Sequence, residues 1–379
     1  SSQGKHLPLA GANVIWEGTS IGTTSDIDGN FILPYESSYK RLIISYVGYN
    51  SKTIDVKNPN TVIHILLQPT DDLDEVTLTT RKKTTATSFL SSQNISIISS
   101  KELLKAACCN LSESFETNPS IDVNITDAIS GTKQIKMLGL TSPYILITTE
   151  NIPSIRGASQ TYGLSFIPGT WVESIQITKG AGSVVNGFES IAGQINAELV
   201  KPTLDNRIFV NAYGSLNGRM ELNTHFNTKL SDQWSTGLYV HANNRSQKFD
   251  RNNDSFLDMP LSQQLNIMNR WQYSNLQKGL ISFLNVRYLT DDKQSGQLEF
   301  DPKTDRLYNT LWGSEISTKR FEISSKFGYV NPEIPYQSLG LQLSYSDHDQ
   351  ISCFGLNQYD IRHKSIYSNL VYNSIISDS

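Results

Sequence analysis

From about residue 204 to the last residue, apolar and polar positions alternate in long runs. Met220, Leu222, Thr224, Phe226 and Leu230 alternate with Glu221, Asn223, His225, Asn227 and Lys229. Phe321, Ile323, Ser325, Phe327 and Tyr329 alternate with Glu322, Ser324 and Lys326, and Leu339, Leu341, Leu343 and Tyr345 with Gly340, Gln342 and Ser344. A period of two gives each strand one apolar and one polar face. Strands of soluble sandwiches average about five or six residues. These run to about ten, the length a tilted strand needs to cross lipid. The region therefore predicts transmembrane β-strands.

The pattern upstream is shorter and more varied. Strands are predicted at Ile95–Ile98, Ile121–Ile125, Gln134–Leu138 and Ile145–Thr149. A serine-capped helix opens at Ser100, and a second runs from Leu111 until Pro119 stops it. Val172, Ile175 and Ile177 mark a strand ending at Lys179. It is followed by Gly180, Gly182, Gly187 and Gly193, whose uneven spacing suits sharp turns and close packing. Gln194–Leu199 is the next strand. Residues 1–70 read as a small all-β module, with strands at Ala12–Trp16, Phe31–Leu33, Leu42–Val47, Thr53–Val56 and Val62–Leu67. Residues 71–83 form an extended linker: acidic first, then Val/Thr/Leu, then basic.

Composition narrows the class. Hydrophobic residues make up 38% and charged residues 18% of the 379, both low for a soluble protein. Ser, Thr, Asn and Gln fill the difference, as long polar-faced strands require. No run of about 18 apolar residues occurs to form a membrane-spanning helix. Tyrosine (17) outnumbers phenylalanine (14), consistent with rings at a lipid–water boundary. A net charge of −4 leaves no basic footprint for nucleic acid. No secretory signal is visible at Ser1, so the stretch begins downstream of one or has lost it.

The glycine-rich segment V-E-S-I-Q-I-T-K-G-A-G-S-V-V-N-G-F-E-S-I-A-G-Q-I-N, from Val172 to Asn196, resembles the end of the plug domain of TonB-dependent outer-membrane receptors. Ala181 stands where those receptors commonly have proline, and Asn186 where tyrosine is frequent. L-S-E-S-F-E-T-N-P-S-I-D-V, I-K-M-L-G-L and Y-I-L-I-T-T-E-N-I-P precede it in the plug's order, so the resemblance spans residues 84–202. P-L-A-G-A-N-V and G-T-S-I-G-T-T-S-D-I-D-G-N-F resemble the carboxypeptidase-regulatory-like β-sandwich found ahead of such receptors in Bacteroidetes-type bacteria, with its start clipped. Leu73, Asp74, Glu75, Val76, Thr77, Leu78 and Thr79 resemble a TonB box, whose free backbone would add to a sheet edge of TonB.

The resemblance implies a mostly-β chain: β-sandwich (1–70), linker (71–83), α+β plug (84–202) and wall (203–379). At roughly 20 to 24 residues per strand and connection, the wall supplies about eight strands. A closed eight-stranded barrel is filled by its own side chains and cannot hold a plug. An open sheet edge in lipid is not viable either. The wall is therefore read as the N-terminal part of a large antiparallel barrel of about 22 strands, continuing past Ser379.

The implied function is import of a scarce nutrient (metal, metal chelate, haem or cobalamin-like) into the periplasm, with TonB as partner and outer-membrane lipid around the wall. The alternatives are an oligosaccharide or peptide importer with a surface lipoprotein lid, or a non-transport β-sandwich adhesin. By motif position, cargo would meet the loops carrying Thr126, Asp127 and Ser130, and Arg156, Gln160 and Tyr162, polar and aromatic heads suited to a small-ligand pocket. The alternative is that they fill space under the barrel loops.

Asp250, Asn252, Asp254 and Asp258 fall at positions 1, 3, 5 and 9, resembling a calcium loop in which alternate residues face one cation. Ser255 replaces the preferred glycine and Leu261 the closing glutamate. The expectation is a structural Ca2+ in an extracellular loop, weighed against a solvated polar loop. No cofactor is required. Asp26 and Asp28 read as a hairpin turn, and Cys108-Cys109 as a packed apolar pair rather than a soft-metal site. Gly18-x-Ser20-x-Gly22 lacks the strand-to-helix setting of a nucleophile elbow. Nothing suggests catalysis.

Overall fold

The structure, a computed structural model, describes residues 8–9, 11–19, 21–35, 39–46, 49, 51–56, 62–68, 85–88, 95–99, 110–115, 121–127, 129–182, 184–185, 187–308, 310–334 and 336–375. The chain forms two compact units, Ser1–Arg81 and Lys82–Ser379. The linker with Leu73–Thr79, the helix expected from Ser100, and Cys108-Cys109 lie outside the described residues.

In the first unit, β1 (Asn13–Trp16), β2 (Gly22–Thr24), β3 (Arg41–Ser45) and β4 (Lys52–Asp55) form an antiparallel sheet ordered β2-β1-β3-β4. Alternation sends Val14, Trp16, Leu42 and Ile44 into one core. The Trp16 indole N–H donates to the Pro34 carbonyl at 2.8 Å. Asp26 Oδ1 accepts the Asp28 and Asn30 amides, which closes the turn read from the sequence. The expected strands Phe31–Leu33 and Val62–Leu67 lie outside the sheet's strands. Phe31, Leu33, Ile65 and Leu67 nevertheless pack on the core. A period of two reports which side chains face inward, not whether a neighbouring backbone runs alongside.

The second unit begins with a plug. Its strands are β5 (Thr85–Ser88), β6 (Ile95–Ser99), β7 (Asp122–Asp127), β8 (Thr132–Lys136), β9 (Ile145–Thr149), β10 (Ile152–Pro153), β11 (Val172–Lys179) and β12 (Gly193–Leu199). Six of them form a sheet ordered β10-β9-β12-β11-β6-β5, with β9 and β12 parallel, while β7 and β8 pair separately. Ile98, Leu111, Phe115, Ile135, Met137, Ile147, Ile175, Ile177 and Ile195 make its core.

The helix expected from Leu111 is only a 3-10 turn, Glu113–Phe115, within the described residues. Asn110 Oδ1 accepts the Ser112 amide at 3.0 Å and the Glu113 amide at 3.3 Å, and the Ser114 hydroxyl donates to the Asn110 carbonyl. Asn110 thus caps this turn as it would the start of a helix, and residues 116–120 lie outside the described ones.

Gly193 marks where β12 passes closest to its neighbours. A Cβ there would lie 2.4 Å from Met137 Cε and 2.7 Å from the Thr178 carbonyl oxygen. The flexible methionine can move, but the backbone of the paired strand cannot. Gly193→Ala is expected to destabilise the plug by about 1–3 kcal/mol, the usual cost of overpacking. Chemical unfolding of the folded protein would measure it.

The wall follows: β13 (Ile208–Gly214), β14 (Arg219–Lys229), β15 (Trp234–Arg245), β16 (Leu261–Asn275), β17 (Leu280–Gly296), β18 (Gly313–Val330), β19 (Ser338–Phe354) and β20 (Asn357–Asn373). Each pairs antiparallel with the next, in unbroken sequence order. β17 to β20 run to 17 or 18 residues, longer than the expected ten. A lipid crossing sets only the minimum, and the ladder continues beyond it.

The two faces of the wall reverse the order of a soluble protein. On β14, Glu221, Asn223, His225 and Asn227 are buried, while Met220 is 64% and Phe226 47% exposed. On β16 the buried set includes Gln264, Asn266, Arg270 and Gln272. The polar face is covered by the plug, and the apolar face is bare, as lipid as the outer solvent requires. At one end the strands join through the connections 230–233, 276–279 and 331–337. At the other end lie the long loops 246–260 and 297–312, with tight turns at 215–218 and 355–356. Short periplasmic turns and longer outer loops make the long-loop end the outer face.

Candidate functional site

The site is the seam between plug and wall. Between β10 and β11 the plug chain forms three 3-10 turns, Gly157–Ser159, Gly163–Phe166 and Gly169–Trp171. Such short turns leave carbonyls without internal partners. The polar face of the wall supplies them. Asn266 Nδ2 donates to the Phe166 carbonyl at 2.7 Å, and Gln264 Nε2 to the Ser165 carbonyl at 3.3 Å. Arg287 also donates to the Phe166 carbonyl. Arg320 Nη2 donates to the Ser154 carbonyl at 3.3 Å. The wall thus holds plug backbone at these turns, and plug side chains elsewhere: Thr170 Oγ1 donates to Asn223 Oδ1 at 3.0 Å and Arg219 pairs with Glu113 at 2.8 Å.

Toward the outer face, two of the loops expected to meet cargo come together. Asp127 accepts the Ser130 hydroxyl at 2.5 Å and the Ile129 amide at 3.0 Å. Ser130 and Thr132 hydroxyls sit 2.5 Å apart. Tyr162 packs with Phe166, Leu289 and Ile316, 8% exposed, and Lys293 Nζ lies 5.1 Å from its ring centre. Burial pushes its phenol up to about 12, and the Asp127 and Asp291 carboxylates push the same way. Tyr162 therefore remains a neutral group wedged between plug and wall. Lys293 ties the same corner to Asp291 (3.2 Å) and to the Ser165 hydroxyl (3.3 Å).

Arg156 and Gln160 sit apart from that corner. Arg156 pairs with Glu189 at 2.6 Å, and its guanidinium lies 5.9 Å from the ring centres of both Phe188 and Tyr367. Gln160 is half-buried, its amide donating to the Gly157 carbonyl at 3.1 Å. Thr126 belongs to β7, and its side chain lies outside the described residues.

The four residues of the expected calcium loop spend their oxygens on their own loop. Asp250 accepts the Asp254 and Ser255 amides, Asp254 the Phe256 amide, and Asp258 the Arg251 amide. Asn252 Nδ2 donates to Asp254 at 2.8 Å. Among the described residues no three His, Cys, Asp or Glu side chains converge to hold a metal ion. As folded, the loop does not fit calcium.

Several residues of the seam escaped sequence reasoning. Foremost are Glu150 and Arg270, whose side chains are 2% and 0% exposed and meet at 2.6 Å. Glu150 also accepts the Leu199 amide, and Lys326 lies 3.9 Å away. Arg287 and Arg320 share Glu322, at 3.1 and 2.6 Å. One signal was available: charges inside membrane-length strands are costly and mark contacts facing the interior. Beside these residues the plug segment Thr149–Arg156 and β17 to β20 leave a polar cleft of about 860 Å³, open solvent included, lined by Asn285, Ser324, Ser344, Ser346, His363 and Tyr367 among others. At the junction of plug and wall, Asp205 lies 3.0 Å from His225 Nδ1 and 2.9 Å from Asn227 Nδ2. Burial pushes its carboxyl up, but these two partners outweigh it and hold it below the ordinary carboxylate range.

Comparison with known proteins follows the same architecture. Residues 1–78 match the CarboxypepD_reg-like domain, and residues 89–194 the TonB-dependent receptor plug domain. TonB-dependent receptor P26 of Formosa agariphila is 27% identical over 201 residues, covering 48% of this chain and 18% of the relative. TonB-dependent receptor SusC of Bacteroides thetaiotaomicron is 39% identical over 69 residues, 18% of this chain and 7% of that one. The chain thus matches less than a fifth of the length of these curated relatives. Among solved structures, the siderophore receptor PiuA of Acinetobacter baumannii superposes with a TM-score of 0.52 at 13% identity, covering 69% of this chain and 37% of that one. The FrpB iron transporter of Neisseria meningitidis gives 0.52 at 14%, covering 72% and 44%. At such identities these two speak for the fold alone. The chain carries a CarboxypepD_reg-like domain and a TonB-dependent receptor plug domain, followed by a wall whose apolar face is bare, and in this it is similar to TonB-dependent receptors of Bacteroidetes-type bacteria.

Proposed function

We propose that this receptor imports a small nutrient across the outer membrane, with energy delivered through TonB. The observation that carries the reading is how the plug is seated. Its sheet has its own apolar core, and it meets the wall through hydrogen bonds to loop carbonyls and hydroxyls, through the ion pairs Glu150–Arg270 and Glu113–Arg219, and through two small apolar clusters. Such contacts can be exchanged for water without unfolding the plug core, as a removable stopper requires. In this reading cargo binds at the outer face, near Thr126, Asp127 and Ser130 and near Arg156, Gln160 and Tyr162. Binding frees Leu73–Thr79 to add as a strand to TonB, and pulling then loosens the seam. The coupling works only if cargo favours the box-exposed state.

The cargo we favour is a metal, a metal chelate, haem or a cobalamin-like molecule. The support is the resemblance of the plug's C-C-N-L-S-E-S-F-E form to receptors of that group. Growth of a deletion strain on limiting iron, haem, cobalamin, copper or glycans tests this. A defect on one of the metal-containing sources is expected. A defect confined to glycans would replace the cargo class, and normal growth on every source would contradict import.

A further inference from the structure

The wall carries a knot of buried polar groups that the import reading does not use. His348 on β19 stands directly opposite His363 on β20 in the ladder. Both face the plug: the Phe166 ring lies 6.3 Å from the His348 ring, and a Cβ on Gly157 would lie 2.9 Å from His363 Cε1. His348 is fully buried, and its side-chain partner is Gln350, two residues away, but neither ring nitrogen makes a well-aligned hydrogen bond. His363 Nδ1 is also buried and unpartnered. The same holds for Gln350 Oε1, two residues from His348 on the same face, and for Thr318 Oγ1, which stands opposite Gln350 on β18.

Buried polar atoms are nearly always satisfied, and leaving one bare costs about 1–3 kcal/mol. Five such atoms in one patch of three neighbouring strands call for an occupant. Opposed residues on one face of an antiparallel pair hold their Cβ atoms about 4.5–5.5 Å apart, close enough for two imidazoles to grip one ion. The donor set is two imidazole nitrogens and an amide oxygen. That set suits a borderline divalent transition ion and not a hard cation such as Ca2+ or Mg2+. Arg320 stands directly opposite His348 on β18, and its charge is held by Glu322 at 2.6 Å. Access exists from the side, because His363 lines the polar cleft between plug and wall.

We infer that His348 and His363, with Gln350, form a binding site for a divalent transition-metal ion on the inner wall, beneath the plug's Gly157–Phe166 turns. The inference deepens the import reading by placing a metal-holding point beside the plug. It is tested by binding alone, so that it and the transport reading can fail separately.

The experiment titrates the full-length receptor in detergent with Cu2+ and records the electron paramagnetic resonance spectrum, with Ni2+ and Zn2+ as competitors. One bound Cu2+ per chain with nitrogen couplings from two imidazoles is expected. His348→Gln and His363→Gln should each weaken it at least ~10-fold, a typical effect of disturbing a metal's protein shell. His225→Gln, a histidine engaged by Asp205, should leave it intact. Heat-modifiable migration on gels confirms that each variant is folded. A site that survives both substitutions, or a wild-type receptor that takes up none of the three ions, would overturn the inference.

Discussion

Glu150→Ala is expected to weaken the plug's hold on the wall by about 3–5 kcal/mol, the usual result of breaking a buried ion pair from one side. Arg270 Nη2 donates to Glu150 at 2.6 Å, and its Nε and Nη1 have no other partner. Phe283 beneath the guanidinium, 5.0 Å away, cannot replace the lost carboxylate. Lys326 would lose its nearest carboxylate as well. Glu150 and Asn151 form the two-residue turn between β9 and β10, both with positive φ, 55° and 62°. Asparagine tolerates that region, whereas glutamate does so at a cost of about 1–2 kcal/mol. The ion pair offsets that cost. In the full-length receptor, the variant should release the plug at lower urea, and the β9–β10 amides should exchange faster. Pairing it with Arg270→Met should recover most of the loss, since no buried charge then stands alone. An unchanged urea midpoint in Glu150→Ala would show that the pair does not clamp the plug.

Val76→Pro is expected to abolish uptake while leaving cargo binding at the outer face unchanged. Strand addition needs the Val76 amide as a donor and an extended backbone, and proline removes the first while fixing φ. A loss of about 3 kcal/mol would cut the pairing equilibrium by about two decades. Uptake of labelled cargo by cells carrying either form, beside binding to the purified receptor, separates the two effects. Uptake at the normal rate would show that Leu73–Thr79 is not the coupling segment.

The wall was legible because its alternation is long: Met220 to Leu230 and Leu339 to Tyr345 could only be strands. That the apolar face turns to lipid followed from the membrane reading, but which plug residues lie against the polar face did not, since a period of two does not say what covers either face. The plug sheet could be read from its apolar runs and glycines, down to the bounds of β9. Of the helix predicted from Leu111, only the capped first turn, Glu113–Phe115, lies within the described residues, with Asn110 Oδ1 accepting the Ser112 and Glu113 amides. Tyr162 illustrates the limit for the site. Sequence marks it as an aromatic head in an outer loop, but a ring facing cargo and a ring wedged against Leu289 and Ile316 read alike. Glu150 and Arg270 are 120 positions apart, so no local motif could have joined them.

The central claim is that the wall is inverted, with polar residues on the plug and apolar residues on lipid. Single cysteines carrying spin labels, placed in a cysteine-free full-length receptor in membranes, test it directly. Leu222, Phe226, Ile366 and Leu370 are outward and exposed, whereas Asn223 and Asn266 face the plug and are buried. Labels at the first four should collide with oxygen dissolved in lipid and escape a water-soluble nickel complex, while labels at the last two should be shielded from both. Water contact at the outward four, with lipid contact at Asn223 and Asn266, would contradict the account.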